Sequence, residues 1–223
     1  MSPRLVIFDV DGTLVDSQLD ILESMTSAFA GQGLPVPSHM AIKGIVGLSL
    51  PVAVTHLAPD VTETTRDALV AGYKATYTAL RLQNGAAGSP LFPGAREALD
   101  RLGRAPGVQL AIATGKSRRG LDGLIESHGL GGRFVSTQVA DDHPSKPHPS
   151  MVQACLRESG VDARDAVIVG DTEFDVAMGH AAGIRAIGVT WGYHPLERLQ
   201  RADILIERFD QLDAALAGLW GAA

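Results

Sequence analysis

The chain has 223 residues, 45% hydrophobic and 20% charged, a balance that supports a packed core and excludes a disordered chain. Its net charge of −6 and its scattered basic residues exclude the electrostatic footprint of a nucleic-acid or anionic-membrane binder. A lone Cys155 excludes an internal disulfide and reads as an inert buried thiol, and no run of about 18 apolar residues for a membrane span occurs.

The first predicted element is a buried strand, "LVIF" at 5–8, within "MSPRLVIFD", whose apolar run is too short for a signal peptide; the expectation is a cytoplasmic protein. The strand leads into "DVDGT", so Asp9 and Asp11 stand at its carboxyl end, where open α/β sheets place ligands. Read alone, Asp11-Gly12 is also an ordinary turn dipeptide, and both readings stand. A calcium loop of the EF-hand type is excluded: Leu14 takes the place of its glycine, Asp20 that of its closing Glu, and a strand precedes it.

From about 15 to 90 no strand pattern occurs, and "QLDILESMTSAFAGQG" and "TRDALVAGYKATYTALRLQ" carry helical periodicity. This predicts an all-helical insert that returns through the Gly- and Pro-rich "NGAAGSPLFPG", with hinges near 14–20 and 82–92. Within it, Gly44 and Gly47 interrupt "KGIVGLSL" (43–50), which reads either as a helix–helix turn or as backbone approaching a ligand. Lys43 is either a partner for a substrate carboxylate or an ordinary surface lysine.

Beyond the insert, helical segments near 94–104, 118–129, 148–160 and 173–182 alternate with the apolar runs "VQLAIA" (108–113), "AVIVG" (166–170), "RAIGV" (185–189) and "DILI" (203–206). The alternation predicts an α/β fold: a doubly wound parallel sheet, Rossmann-like, built from residues 1–14 and 91–223, with residues 15–90 as an inserted helical cap domain. A last helix around "QLDAALAGLW" is expected to pack Trp220 on the core.

Three further stretches where strands feed helices carry candidate chemistry. "ATGKS" (Thr114, Gly115, Lys116, Ser117) fails as a nucleotide P-loop because Leu110 stands where its first glycine belongs. It reads as a phosphate-binding turn or as a helix N-cap by Thr114 or Ser117, with Arg118 and Arg119 as exposed first-turn residues. Lys146 in "SKPHP" is a positioned ammonium or a solvated loop lysine, restrained by neighbouring prolines. In "GDTEFD", Asp171 follows a strand and Asp175 comes four residues later; they read as an N-cap and a solvated acid, or as carboxylates for Mg²⁺.

Together these motifs, "DVDGT", "ATG", "SKP" and "GDTEFD", resemble the ordered motifs of the haloacid dehalogenase-like hydrolase superfamily over the entire chain. "FDVDGTLVDS" and "AAGIRAIGVTWGY" are most similar to its phosphoglycolate phosphatase branch. The resemblance implies an aspartyl-phosphate mechanism with Asp9 as nucleophile and Asp11 as acid and base. It further implies that Thr114, Gly115 and Lys146 bind the phosphoryl group, and that Mg²⁺ is held by Asp9, the Asp11 carbonyl, Asp171 and Asp175. Lys43 and Gly47 of the cap are the expected contacts to the rest of the substrate. Asp11 separates phosphoester hydrolysis from the dehalogenase and phosphonatase chemistries, in which that acid is missing. The expected substrate is a small phosphorylated metabolite, phosphoglycolate first, and the expected assembly a monomer or homodimer. A sugar-phosphate phosphatase, a pyrophosphatase, a β-phosphoglucomutase-like mutase and a silent phospho-ligand-binding protein are the alternatives.

Overall fold

The computed structural model describes residues 3–221. Six parallel strands form one sheet: β1 (Arg4–Phe8), β2 (Val108–Thr114), β3 (Ser136–Val139), β4 (Ala166–Gly170), β5 (Arg185–Val189) and β6 (Ile204–Ile206), in the order β3-β2-β1-β4-β5-β6. The continuous apolar runs have a simple cause. Val6 and Phe8 point into one helix layer and Leu5 and Ile7 into the other, so no face of β1 is left to water. The chain winds from β1 through β2 to β3, then returns to pair β4 with β1, which makes the β1/β4 junction the topological switch point. Phe8 is in register with both Ile112 and Val169, so Asp9, Thr114 and Asp171 emerge at the same end of the sheet.

β3 departs from the apolar-run pattern, which predicts no strand at "STQV". It is an edge strand whose buried polar side chains satisfy one another. Gln138 donates to Ser136 Oγ at 2.7 Å and pairs with His143 at 2.8 Å, and Ser136 donates to Cys155 Sγ at 3.6 Å. Burial pushes the Cys155 thiol up to about 12, in keeping with an inert side chain.

The sheet is flanked by α5 (Ala95–Arg104), α6 (Arg118–Ser127), α7 (Ser150–Ser159), α8 (Glu173–Ala181) and α9 (Leu212–Gly221), preceded in the chain by α1 (Gln18–Gly31), α2 (His39–Lys43), α3 (Leu50–Leu57) and α4 (Glu63–Asn84). Ser117 caps the start of α6, its Oγ accepting from Gly120 N at 3.2 Å. Thr172, not Asp171, caps α8, with Asp175 closing a capping box. Trp220 packs against the core as expected.

Helices α1 to α4 have an apolar core of their own, formed by Ile21, Met25, Phe29, Ile42, Val54 and Leu69. The chain enters and leaves this insert side by side: Asp16 N donates to Pro90 O at 2.8 Å and Phe92 N to Leu14 O at 2.9 Å. Contacts that hold the insert against the sheet include Arg198 donating to Gly44 O at 3.3 Å, Ser49 N to Ser145 Oγ at 2.8 Å, and Arg81 to Arg119 O at 2.7 Å. Among the described residues, no helix is long and apolar enough to cross a membrane.

Candidate active site

The turn after β1 folds tightly on itself: Thr13, Leu14 and Val15 all donate to the Val10 carbonyl. Gly12 sits at φ +84°, and a Cβ there would lie 2.3 Å from Asp171 Oδ2, so both backbone and space demand glycine. The Trp191 indole donates to Thr13 O at 3.1 Å, and the Thr13 hydroxyl to Asp171 Oδ1 at 2.9 Å. These contacts fix the β1 and β4 ends to each other.

Asp9 is buried, and its Oδ1 accepts from Lys146 Nζ at 2.8 Å. Lys146 also donates to Asp175 Oδ1 at 2.6 Å, while Asp175 Oδ2 accepts from Thr172 Oγ1 at 2.6 Å. Only 2% exposed, Lys146 is not the solvated loop lysine that one reading of its sequence allows. Burial opposes its charge, yet Asp175 and Asp9 outweigh burial and hold its pKa above the usual range.

Asp9, Asp171 and Asp175 each offer an oxygen within 4.8 Å of the others, and Asp9 Oδ2 is buried with no hydrogen-bond partner. Burial, with Asp175 adding to it and Lys146 opposing it, pushes the Asp9 carboxyl up to about 7. Burial and the neighbouring Asp9 and Asp175 carboxylates raise Asp171 well above the usual range. Such mutual repulsion around an unpartnered oxygen is what a divalent cation relieves, and hard carboxylate oxygens suit Mg²⁺.

Asp11 turns away from this cluster. Its Oδ1 accepts from Ser17 and from Lys116 Nζ at 2.6 Å, and its Oδ2 from the same ammonium at 2.9 Å. Lys116 Nζ also donates to the Tyr77 hydroxyl of α4 at 2.8 Å. Burial disfavours the charge on Lys116, but Asp11 and Tyr77 prevail and raise its pKa. Thr114, at the end of β2, is buried and accepts from Lys116 N at 3.2 Å.

A cavity of about 570 Å³ opens over Asp9, Asp11, Thr114 and Lys116 and is roofed by residues of the insert. Gly47 lies in its wall at φ +100°, and a Cβ built on Gly115 would lie 2.6 Å from the Gly47 carbonyl, so roof and sheet meet through bare backbone. Lys43 is not among the lining residues and lies beside Ile42 and Val46 in a small crevice. Arg119, read as a bystander, lines the mouth, and half-buried Arg118 donates to Thr137 Oγ1 at 2.8 Å and is not a free exposed side chain.

Sequence reasoning missed Lys116, Tyr77 and Ser17 as site residues. Lys116 carried a signal, since it directly follows the Thr114-Gly115 turn, whereas nothing local marks Tyr77 on a long helix.

The chain matches the family model described as haloacid dehalogenase-like hydrolase over residues 6–189. It is 36% identical to "Probable phosphatase IndB" of Dickeya dadantii (strain 3937), across 96% of this chain and 94% of that one. It is 32% identical to a phosphoglycolate phosphatase of Rhodospirillum rubrum, across 86% and 81%. A solved structure from Haemophilus somnus 129pt, described as a predicted phosphoglycolate phosphatase, superposes with a TM-score of 0.83 at 25% identity over 96% and 98% of the two chains. The β-phosphoglucomutase of Clostridium difficile shares the fold, with a TM-score of 0.84 at 15% identity over 100% and 98%. By its matched length, its sheet order and the residues gathered at the switch point, the chain belongs to the haloacid dehalogenase-like hydrolase family.

Proposed function

We propose that the protein is a Mg²⁺-dependent phosphatase of a small phosphomonoester, with phosphoglycolate as the single named substrate. One observation carries the reading: Asp9 is clamped through Oδ1 by Lys146 while its Oδ2 stands buried and unpartnered, between a carboxylate cluster and a cavity. A structural ion pair would satisfy both oxygens. The relatives named as phosphatases support the same chemistry.

In this mechanism an Asp9 oxygen attacks phosphorus, the P–O bond to the leaving group breaks, and Asp11 gives its proton to the departing oxygen. Asp11 then takes a proton from a water that attacks the aspartyl-phosphate, which releases inorganic phosphate and restores Asp9. Thr114, the Gly115 backbone and Lys146 hold the phosphoryl oxygens, and Lys146 offsets charge that gathers on them. Asp9, Asp171, Asp175 and the Asp11 carbonyl would hold Mg²⁺, which supplies positive charge to the phosphoryl group when bound. Residues 15–90 act as the cap that excludes water, and Gly47 brings its backbone to the substrate.

The test is phosphate release from phosphoglycolate, sugar phosphates, nucleotides and pyrophosphate, with and without Mg²⁺. Release that is lost in excess chelator is expected, with phosphoglycolate preferred in kcat/KM. Undiminished release in chelator removes the metal from the account, and a preferred sugar phosphate or pyrophosphate removes the named substrate.

A further inference from the structure

The phosphatase reading leaves one buried cation without a task. Lys116 Nζ bonds both oxygens of Asp11, and Ser17 adds a second bond to Oδ1, so the ammonium competes with a leaving-group oxygen for Asp11. The Lys116 side chain is only 8% exposed, and a buried ammonium without an anion is strongly unfavourable. It therefore needs a replacement anion inside the cavity.

Among the described cations that line the cavity, Lys116 alone is bonded to Asp11: Arg81 donates to the Arg119 carbonyl, Lys74 and Arg119 are exposed, and Lys146, engaged by Asp9 and Asp175, lies outside the lining. The Lys116 backbone N–H donates to Thr114 Oγ1, which fixes the lysine's main chain directly beside the hydroxyl assigned to the phosphoryl group. The Tyr77 hydroxyl offers it a second, neutral acceptor from the insert.

We propose that Lys116 is the specificity-determining residue of the site: it exchanges Asp11 for a carboxylate carried by the leaving group of the substrate. The substrate class is thus a phosphomonoester with a carboxylate close to the scissile oxygen. Binding of that anion satisfies the ammonium and uncovers Asp11 in one event, while the Tyr77 contact keeps the exchange tied to α4. A neutral ester leaves Lys116 on Asp11 and is turned over slowly. The inference rests on the phosphatase reading and adds to it the residue that selects the leaving group.

The experiment compares kcat/KM for phosphoglycolate and for 2-hydroxyethyl phosphate, in which a hydroxymethyl group replaces the carboxylate, using wild type, Lys116→Met and Lys116→Arg. Wild type is expected to prefer phosphoglycolate by about a hundredfold, the scale of a lost buried charge contact. Lys116→Met should bring that ratio below about fivefold, and Lys116→Arg should restore part of it. A wild-type preference under about threefold overturns the assignment whatever the variants do. So does a Lys116→Met protein that slows both esters equally, which is the mark of a purely structural lysine. Release from neither of these esters but from other phosphomonoesters overturns this inference alone; release from no phosphomonoester overturns the phosphatase reading with it.

Discussion

Two lysines, 30 positions apart in the chain, hold the two aspartates of "DVDGT" in different settings. Lys146 fixes Asp9 inside a cluster of carboxylates, whereas Lys116 holds Asp11 at the cavity wall. Unlike fields around neighbouring carboxyls can divide nucleophile from acid, and here the proposed division needs a cation at the Asp9 cluster and release of Asp11 from Lys116. Asp9→Asn is expected to lower turnover by at least roughly a thousandfold, because a neutral amide is no nucleophile toward phosphorus. The same substitution removes one negative charge from the cluster with Asp171 and Asp175, so a metal-free melting curve should show no loss of stability. A variant that melts far below wild type would instead point to Asp9 as a structural partner of Lys146.

At the level of elements, strands buried on both faces were readable because the alternation of layers forces continuous apolar runs, as in β1 and β4. β3 was not readable: Ser136 and Gln138 are buried but bonded to each other, a solution that exists only once the edge strand is in place. The turn after β1 was legible as a turn, yet its demand on Gly12 comes from Asp171, which the sequence places 159 residues away. Gly12→Ala should therefore cost about 1–3 kcal/mol of stability through strain at positive φ. It should also depress kcat/KM, because Asp171 or the turn must shift to admit a Cβ. Urea denaturation and steady-state kinetics on the same preparation check both, and a neutral substitution would contradict the geometry.

For the whole molecule, the insert and the sheet meet through the loop after β5, where Arg198 donates to Gly44 O and to Glu173. Next to it lies buried His194, which accepts from Glu173 N at 3.3 Å and stacks edge-on against Phe174. Burial, together with Arg198, depresses its pKa from 6.5 to about 4, against weaker support from Asp175 and Glu173. The unfolded chain thus binds a proton between pH 6.5 and 4 that the folded chain refuses, so stability falls as pH drops through this window. The loss attributable to His194 is roughly 3 kcal/mol, by about 1.4 kcal/mol per pKa unit. Stability curves of wild type and His194→Asn should converge toward pH 4 from a gap at neutral pH; parallel curves would exclude His194 as the cause.

Much of the candidate site was legible at this scale, since Asp9, Asp11, Thr114, Asp171 and Asp175 stand at strand ends or within a turn of them, and Lys146 lies in a proline-rich loop ahead of a helix. Of its roof, the glycine-broken loop 43–50 was legible, since Gly47 and its neighbours line the cavity; the place of Lys43, read as a substrate partner or a surface lysine, was not, for it lies outside that lining, and the lysine found beside Asp11 is Lys116 of the sheet domain. A helix's rotation about its axis is set by packing, here the burial of Ile42, which one sequence cannot rank against alternatives.

The paired backbone bonds Asp16–Pro90 and Phe92–Leu14 have a consequence for how such proteins diversify. Entry and exit of the insert are neighbours, so the sheet sees a short clasp whatever length of chain is looped out beyond it. Replacing the looped-out part changes what the enzyme greets without disturbing the strand ends that perform the reaction. Descendants of one ancestor can thereby trade roofs while keeping the same hearth.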